Sequence, residues 1–599
     1  MALTRDEFAV LRECLLHPNL SQHTLAAKTG LSPELFDAAY RSLTEKALIE
    51  NCGISSAGVE ALKPFKVDNA VIMAAGLSSR FAPISYEMPK GLLNVRGEVL
   101  IERQIEQLKD AGINEIIIVI GYKKEYFFYL EEKYDVRIVV NPDFATHNNH
   151  STLMRVRERL GNTYICSSDD YFTKNPFEPY VYRAYYAAQY QEGPTDEWCL
   201  KTNDQGRIVS VGVSGQDAWY MIGHAYFDRA FSERFARILE AEYDDPRTAG
   251  KLWEQLYAEH IDELDMELRR FEQGTIFEFD SLDDLREFDP LFLENIDSEI
   301  FDNIASVLGC KKSEIHDVYP LKQGLTNLSC HFSTNDGEYV YRHPGAGTEL
   351  IIDRTAEATA QQLAKDIGLD ETFLYENPER GWKLSRFIPN CRELDPHDDA
   401  QLARAMQMAA QLHAEPVKVD RRFDYLVESK RYEKALLEKK PIRIAGYEQM
   451  AANAAKLKAF ADADAAPVCL THNDFFSLNL LLDENDRLSL IDWEYAGMAD
   501  YASDFGTFTV TCELSEEEAL RALEHYFGRK PTFEETRHNF AYVALAGWCW
   551  YVWALLKEAE GDFVGDWLYI YYRYAKKYLG ETLAWYAERP ESKENGQHQ

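Results

Sequence analysis

Residues Leu470–Glu494 read LTHNDFFSLNLLLDENDRLSLIDWE, and this stretch decides the fold of the C-terminal half. His472-Asn473-Asp474 is followed, after four residues, by Asn479. Asp483–Asp486 is a polar turn between two apolar runs, which predicts a short hairpin ending at Asp492. A carboxylate, an amide five residues on and a second carboxylate across a hairpin are groups suited to handling phosphates. Asp474 would orient the proton of an attacking hydroxyl, and Asn479 and Asp492 would hold a divalent cation. Asp504 follows as a carboxylate placed to steady the loop.

Upstream, Lys322-Gln323-Gly324-Leu325-Thr326-Asn327 precedes two strands, Leu328–Thr334 and Glu338–His343. They are joined by Asn335-Asp336-Gly337, a strong hairpin signal. The loop reads as a cover over a nucleotide, with Gly324, Thr326 and Asn327 as its contacts. Arg342 on the second strand and Glu357 in the helix after Asp353-Arg354 form the expected ion pair beside the phosphates. Downstream, the helix Ala541–Lys557 carries Trp548, Trp550, Tyr551 and Trp553. Trp550 and Trp553 are three apart, share a helix face and are candidate walls for an alkylammonium. Such a stripe is as often core. The spacing of Asp474, Asn479 and Asp492 resembles the catalytic segment of protein-kinase-like phosphotransferases. The run Arg342-His343-Pro344-Gly345 resembles choline and ethanolamine kinases more than aminoglycoside kinases. This resemblance covers most of residues 310–580 and implies ATP, Mg2+ and a small amino alcohol.

A second centre lies nearer the N-terminus. The short strand Ala70–Met73 runs into Ala74-Ala75-Gly76-Leu77-Ser78-Ser79-Arg80-Phe81. A small-residue loop after a strand exposes backbone N–H groups to phosphates, so Ala75, Gly76 and Ser78 are candidate contacts. Arg80 adds a planar fork for phosphate oxygens. Pro89-Lys90-Gly91 then supplies a fixed point charge. Asn114–Gly121 and Val136–Asn141 are further strands, and Thr163–Ser167 ends at Asp169-Asp170, the strand end where open α/β sheets bind ligands. The loop, Arg80 and the Pro-Lys pair together resemble nucleotide-diphospho-sugar pyrophosphorylase-like nucleotidyltransferases. That resemblance implies Asn148, Asn149 and Ser151 as base and ribose contacts, Asp169 and Asp280 as Mg2+ ligands, and Lys90 as the catalytic cation.

Within that fold the chain looks most similar to bacterial phosphocholine cytidylyltransferases, through Thr195–Leu200, Trp253 and Phe277–Asp284. Trp198 matches an aromatic that faces the quaternary ammonium in that family. The second aromatic falls at Leu252, so the box would be rebuilt with Trp253 or Trp219, or the acceptor is less methylated. A choline-type kinase joined to a phosphocholine-type transferase implies consecutive steps: choline and ATP to phosphocholine, then phosphocholine and CTP to CDP-choline and pyrophosphate. Ethanolamine or an aminophosphonate remains the nearer alternative, and a DNA-binding metabolite sensor the distant one.

The first unit has helical spacing over Asp6–Leu16, Ser21–Thr29 and Ser32–Glu45, and then a wing-like end. Ser32 with Pro33 is an N-cap followed by proline at the first helical position. The pattern resembles a winged helix-turn-helix. A DNA reader places basic side chains on the third helix, but this one begins with Glu34 and Asp37, with Arg41 later. A docking or regulatory role is the expectation.

The domain reading is therefore 1–66 winged helix-turn-helix, 67–293 Rossmann-like α/β nucleotidyltransferase, 294–590 kinase-like α+β phosphotransferase, and 591–599 disordered tail. The formal net charge of −36 disfavours nucleic acid and anionic membrane as partners. The longest apolar runs are far shorter than the ~20 residues that span a bilayer, and the start does not read as a signal peptide. Ten cysteines without a CxxC pair point to reduced thiols and a cytoplasmic location.

Overall fold

The computed structural model describes residues 3–18, 20–50, 53–321, 327–345, 352–561 and 563–587. Gly324, Thr326 and the tail 591–599 lie outside the described residues. The chain divides into two compact units, Met1–Asn303 with Lys311–Ser313, and Ile304–Cys310 with Glu314–Gln599.

The first unit begins with helices Arg5–Leu16, Gln22–Thr29 and Pro33–Glu45, the strand pair Ile49–Glu50 and Gly53–Ile54, and helix Ser56–Leu62. Local chemistry sets these bounds. Thr4 and Glu7 form a reciprocal capping box. Gly30 ends the second helix in the left-handed conformation, and the Ser32 hydroxyl accepts the Leu35 N–H at 3.4 Å. Phe8, Leu11, Phe36 and Leu43 bury a small core of their own. This module packs on the rest of the unit through Phe65, which stacks on Tyr182 at 5.5 Å, and Phe8, 5.4 Å from the same ring.

A seven-stranded sheet follows in the order Glu267–Arg270, Tyr185–Thr202, Ile208–Phe227, Thr163–Ser167, Asn69–Ala74, Ile116–Ile120, Arg137–Val140. The last four run parallel, and Ile208–Phe227 joins them antiparallel. Ile116–Ile120 is buried at every position, as expected for a strand covered on both faces. This parallel core puts the ends of Asn69–Ala74 and Thr163–Ser167 side by side, because Met73 pairs with Ser167.

The second unit carries a five-stranded antiparallel sheet in the order His316–Pro320, Asn327–Thr334, Gly337–Pro344, Trp382–Arg386, Phe373–Asn377. Its hairpin turns at Asn335-Asp336 as the sequence signals. The helical part is built around Phe533–Glu560, a 28-residue helix. By length and composition that helix is apolar enough to cross a membrane, but 89% of its most apolar stretch is buried inside the protein. It serves as the core helix of this unit.

Candidate active sites

In the first unit the loop after Asn69–Ala74 must pass close to its neighbours. A Cβ on Gly121 would meet the Ala75 carbonyl at 2.7 Å, and one on Gly91 would meet Ser168 at 2.8 Å. Glycine is needed at both for the backbones to close on one cavity. That cavity, of about 630 Å3, is lined by Ala75, Gly76, Ser78, Arg80, Lys90, Asn148, Asn149, Ser151, Asp169 and Asp280. The structure thus brings together ten residues that the sequence singled out separately.

Charge pairing inside the cavity is definite. Lys90 Nζ lies 2.6 Å from Asp169 Oδ2 and 4.5 Å from the Phe81 ring centre. Arg80 lies 2.8 Å from Asp280. Asp169, Asp170 and Glu278 present carboxylate oxygens within 4.8 Å of one another. Asp170 is fully buried, and neither of its carboxylate oxygens has a hydrogen-bond partner. Burial first, then the charges of Glu278 and Asp169, hold its carboxyl well above the usual range. An oxygen-only cluster with an unsatisfied buried carboxyl suits a hard divalent cation. The sequence reading did not single out Asp170 or Glu278. The signals available were the Asp169-Asp170 doublet and the Glu278-x-Asp280 spacing.

Asn148 and Asn149 line the cavity, but their amides are committed elsewhere. Asn148 Nδ2 donates to the Gly250 carbonyl at 3.1 Å. Asn149 Oδ1 accepts the Trp253 N–H at 2.7 Å, and its Nδ2 donates to Glu254 at 3.2 Å. Both side chains fasten the loop 249–254 to the cavity. Ser151 donates to the Asn148 carbonyl at 2.8 Å.

Trp253 is a correction. It is 1% exposed, stacks on Tyr186 at 5.6 Å and belongs to the core with Phe227 and Phe235. A core tryptophan at the start of a short helix has the same sequence signature as a ligand wall. Trp198 is half-buried, packs against the same core and lines neither this cavity nor the one that adjoins it, whereas its strand neighbour Glu197 lines the second. The ladder is irregular here, its register shifting between Thr195 and Trp198, and the two neighbouring side chains go different ways, one to the cavity and the other to the core. The second cavity, of about 980 Å3, shares Asp280 with the first. Its walls include Tyr220, Phe277, Phe279 and Phe288, with Glu197, Asp284 and Glu287.

In the second unit Asn479 Nδ2 donates to Asp474 Oδ2 at 2.9 Å. Burial, then Asp492 and Glu494, hold the Asp474 carboxyl well above its ordinary range. Asp504 accepts the backbone N–H groups of His472 at 2.9 Å and Asn473 at 2.6 Å, and its other partner is His413 at 2.9 Å. Burial opposes ionisation of Asp504, but these donors outweigh it and its pKa is lowered. Asn473 and Asp492 both take left-handed backbone, φ 66° and 64°. Strain of this kind costs of order 1–3 kcal/mol and persists where the surroundings fix it.

Arg342 lies 2.6 Å from Glu357 and 3.6 Å from Asp492. Glu357 is fully buried and also meets Arg354 at 2.9 Å and Lys383 at 3.6 Å. Burial opposes its charge, but Arg342 and Lys383 hold its carboxyl below the ordinary range. Asn327 donates to Glu494 at 2.7 Å and accepts from Arg354 at 3.1 Å, so its side chain braces this cluster from within. Trp550 and Trp553 meet edge to face at 6.0 Å. Trp550 is 5% exposed and donates its indole N–H to Thr507 at 3.2 Å, while Trp553 is half-buried.

Two family models match separate parts of the chain. Residues 70–174 match the MobA-like NTP transferase domain, and residues 317–539 the phosphotransferase enzyme family. Choline-phosphate cytidylyltransferase of Streptococcus pneumoniae is 36% identical over 222 residues, 37% of this chain and 97% of that protein. The 2-aminoethylphosphonate cytidylyltransferase of Lancefieldella rimae is 36% identical over 225 residues, 37% of this chain and 92% of that protein. The crystal structure of the choline kinase LicA from Streptococcus pneumoniae is 26% identical and covers 47% of this chain and 98% of that chain, with a TM-score of 0.41. The chain is a two-enzyme fusion: its nucleotidyltransferase part belongs to the cytidylyltransferase family that includes the choline-phosphate and 2-aminoethylphosphonate enzymes, and its second unit carries a kinase-fold phosphotransferase.

Proposed function

We propose that the two halves run consecutive steps, phosphorylation of choline with ATP and then transfer of CMP from CTP to phosphocholine. The observation that carries the acceptor of the second step is the pair of cavities sharing Asp280, one lined by phosphate-binding groups and the next by aromatics and carboxylates, and the joining of that transferase to a kinase-fold phosphotransferase supplies the first step. An acceptor with an anionic phosphate at one end and a cationic head at the other matches that polarity.

In the transferase, Lys90, Arg80 and the loop N–H groups hold the triphosphate so that the acceptor phosphate attacks the α-phosphorus in line. No base is required, because a phosphate monoester is already ionised near neutral pH. Asp169, Asp170 and Glu278, with Asp280 beside them, would hold Mg2+, which neutralises the crowded phosphate oxygens. In the kinase, Asp474 orients the acceptor hydroxyl, Arg342 held by Glu357 aligns the ATP phosphates, and Asn479 and Asp492 would hold the metal.

The carboxylates of the second cavity favour one further reading, a primary ammonium such as 2-aminoethylphosphonate, whose donors they can accept. A kinase makes a phosphate ester and not a carbon–phosphorus bond, so the fusion itself speaks for the ester. A substrate panel with ATP and CTP, reading ADP and pyrophosphate separately, tests the assignment. Pyrophosphate release with the phosphonate but not with phosphocholine would transfer it to the second reading. We assign the winged-helix-like first 66 residues a docking or regulatory role, since Glu34, Asp37 and Glu45 are exposed on its third helix beside Arg41. Tight, sequence-dependent gel retardation of DNA would overturn that role. The cytoplasm, which holds ATP and CTP, is the proposed location.

A further inference from the structure

We propose that Thr507 is a positioning residue for phosphoryl transfer, fixing the peptide unit that carries Asp474. The proposal rests on reading Asp474 as the group that meets the acceptor hydroxyl.

Thr507 lies on helix Ala502–Thr511 and is fully buried. Its Oγ1 donates to the Asn473 carbonyl at 3.1 Å and accepts the Trp550 indole N–H at 3.2 Å. The Tyr425 hydroxyl stands 2.5 Å away. A hydroxyl has one proton and two lone pairs, an indole only donates, and a carbonyl only accepts. The Tyr425 hydroxyl also lies 2.8 Å from the Ser503 carbonyl; with its proton turned to Thr507, the Thr507 proton is left for Asn473 and the chain runs from Trp550 through Thr507 to Asn473.

That carbonyl belongs to the peptide joining Asn473 to Asp474. Asn473 is held in left-handed backbone, φ 66°, which a non-glycine residue keeps only under restraint. Its N–H is held by Asp504 at 2.6 Å. Its side chain is held by Ser503, one helical turn before Thr507, at 2.8 Å, and by the Tyr495 carbonyl at 2.9 Å. Among these restraints Thr507 is the one acting on the carbonyl. Rotation of the Asn473–Asp474 peptide plane changes the aim of the Asp474 side chain, so the Thr507 hydroxyl sets that aim. The same hydroxyl is tied to Trp550, whose ring stands edge-on to Tyr495 at 5.7 Å and to Trp553 at 6.0 Å. The tryptophan face and the catalytic loop thus share one hydroxyl.

Full-length Thr507→Val, Thr507→Ser and Asp474→Asn are compared by kcat, by KM for ATP and for choline, and by melting temperature. Cytidylyl transfer from added phosphocholine serves as the internal control. Thr507→Val should lower kcat tenfold or more with KM for ATP changed less than threefold, and Thr507→Ser should keep at least half of kcat. A Thr507→Val kcat within twofold of wild type, with Asp474→Asn inactive, overturns the proposal and leaves the reading of Asp474 standing. An active Asp474→Asn defeats that reading, and the proposal with it. If the valine variant does not fold, Thr507→Ala decides by the same measurements: a tenfold kcat loss supports the proposal and an unchanged kcat overturns it.

Discussion

Lys90 Nζ lies 2.6 Å from Asp169 Oδ2, so the cation that should meet the triphosphate is paired with the carboxylate that should meet the metal. Binding of a metal–nucleotide complex would separate them, the lysine turning to phosphate and the carboxylate to metal. Lys90→Met should therefore lower cytidylyl transfer ~10²–10³-fold, the usual effect of losing one charge-stabilising group. It should also reduce the rise in melting temperature that CTP and Mg2+ give the wild type. Undiminished pyrophosphate release would place the transferase site elsewhere. ATP-dependent phosphorylation should persist.

Glu357 offers a test in the other unit. Its carboxylate is buried among Arg342, Arg354 and Lys383, so Glu357→Gln leaves a buried cationic cluster short of its main counterion. Removing one partner of a buried pair costs ~3–5 kcal/mol. The variant should lose most kinase activity, and its kinase unit should unfold at lower urea, while cytidylyl transfer remains. Normal kcat with wild-type stability would show that Arg342 needs no such support.

Much of this was legible in the sequence because it is local. The spacing of Asp474, Asn479 and Asp492, the hairpin at Asn335-Asp336 and the Gly76–Arg80 loop each need only a short window, and the strands around them fix their geometry. What was not legible depends on which way a side chain turns. Glu197 and Trp198 are adjacent, and only the sheet shows that the first faces the cavity while the second packs on the core. Trp253 carries no local mark that separates core from cage. Asn148 and Asn149 lie in the right loop, but their amides are taken by Gly250, Trp253 and Glu254, more than a hundred residues away. The coupling of Thr507 to Asn473 and Trp550 likewise joins three segments that no short window contains.

His538 gives a prediction in pH. It is buried, with Nδ1 3.0 Å from Asp464 and Nε2 3.0 Å from Asp500. Burial alone would push its pKa down, but the hydrogen bonds and charges of Asp500 and Asp464 outweigh that and raise it. A raised histidine contributes stability that is full below its ordinary value of 6.5 and is lost as pH rises through the folded value. His538→Gln should therefore destabilise the kinase unit most near pH 6, by ~2–4 kcal/mol for two hydrogen bonds to charged groups. The gap to wild type should narrow at pH 9. A gap independent of pH would mean that folding leaves the His538 pKa unshifted, and a gap that widens toward pH 9 would mean that the buried imidazole is neutral.

Removal of residues 1–66 should weaken the transferase unit. Tyr182 would lose Phe8 and Phe65, and the buried Asn162 amide would lose the Pro64 and Lys66 carbonyls, both at 2.8 Å. One unsatisfied buried amide costs ~1–3 kcal/mol, and at ~2–4 °C per kcal/mol the melting temperature should fall by about 5 °C or more once the lost packing is added. An unchanged transferase melt would show that the module is an appendage without structural duty.

Acceptor choice should be set by the second cavity and not by Trp198 or Trp253. Trimethylated ammonium has no donors and seeks π-rich walls, whereas a primary ammonium has three donors and seeks acceptors. The cavity offers both kinds of wall, Tyr220 and Phe277 on one hand, Glu197 and Asp284 on the other. Cation–π contact is worth up to ~2 kcal/mol when desolvated, roughly thirtyfold in affinity. Tyr220→Ala should therefore raise KM for phosphocholine about five- to thirtyfold with KM for CTP little changed. Trp198→Ala should do less, because its ring packs on the core. Glu197→Gln should weaken phosphoethanolamine and 2-aminoethylphosphonate more than phosphocholine, since only the primary ammonium loses a hydrogen-bond acceptor along with the charge. Specificity constants for the three acceptors across these three variants decide the matter. If Trp198→Ala proves the most damaging of the three for phosphocholine, the cationic head sits on the other face of the sheet and this assignment of the second cavity fails.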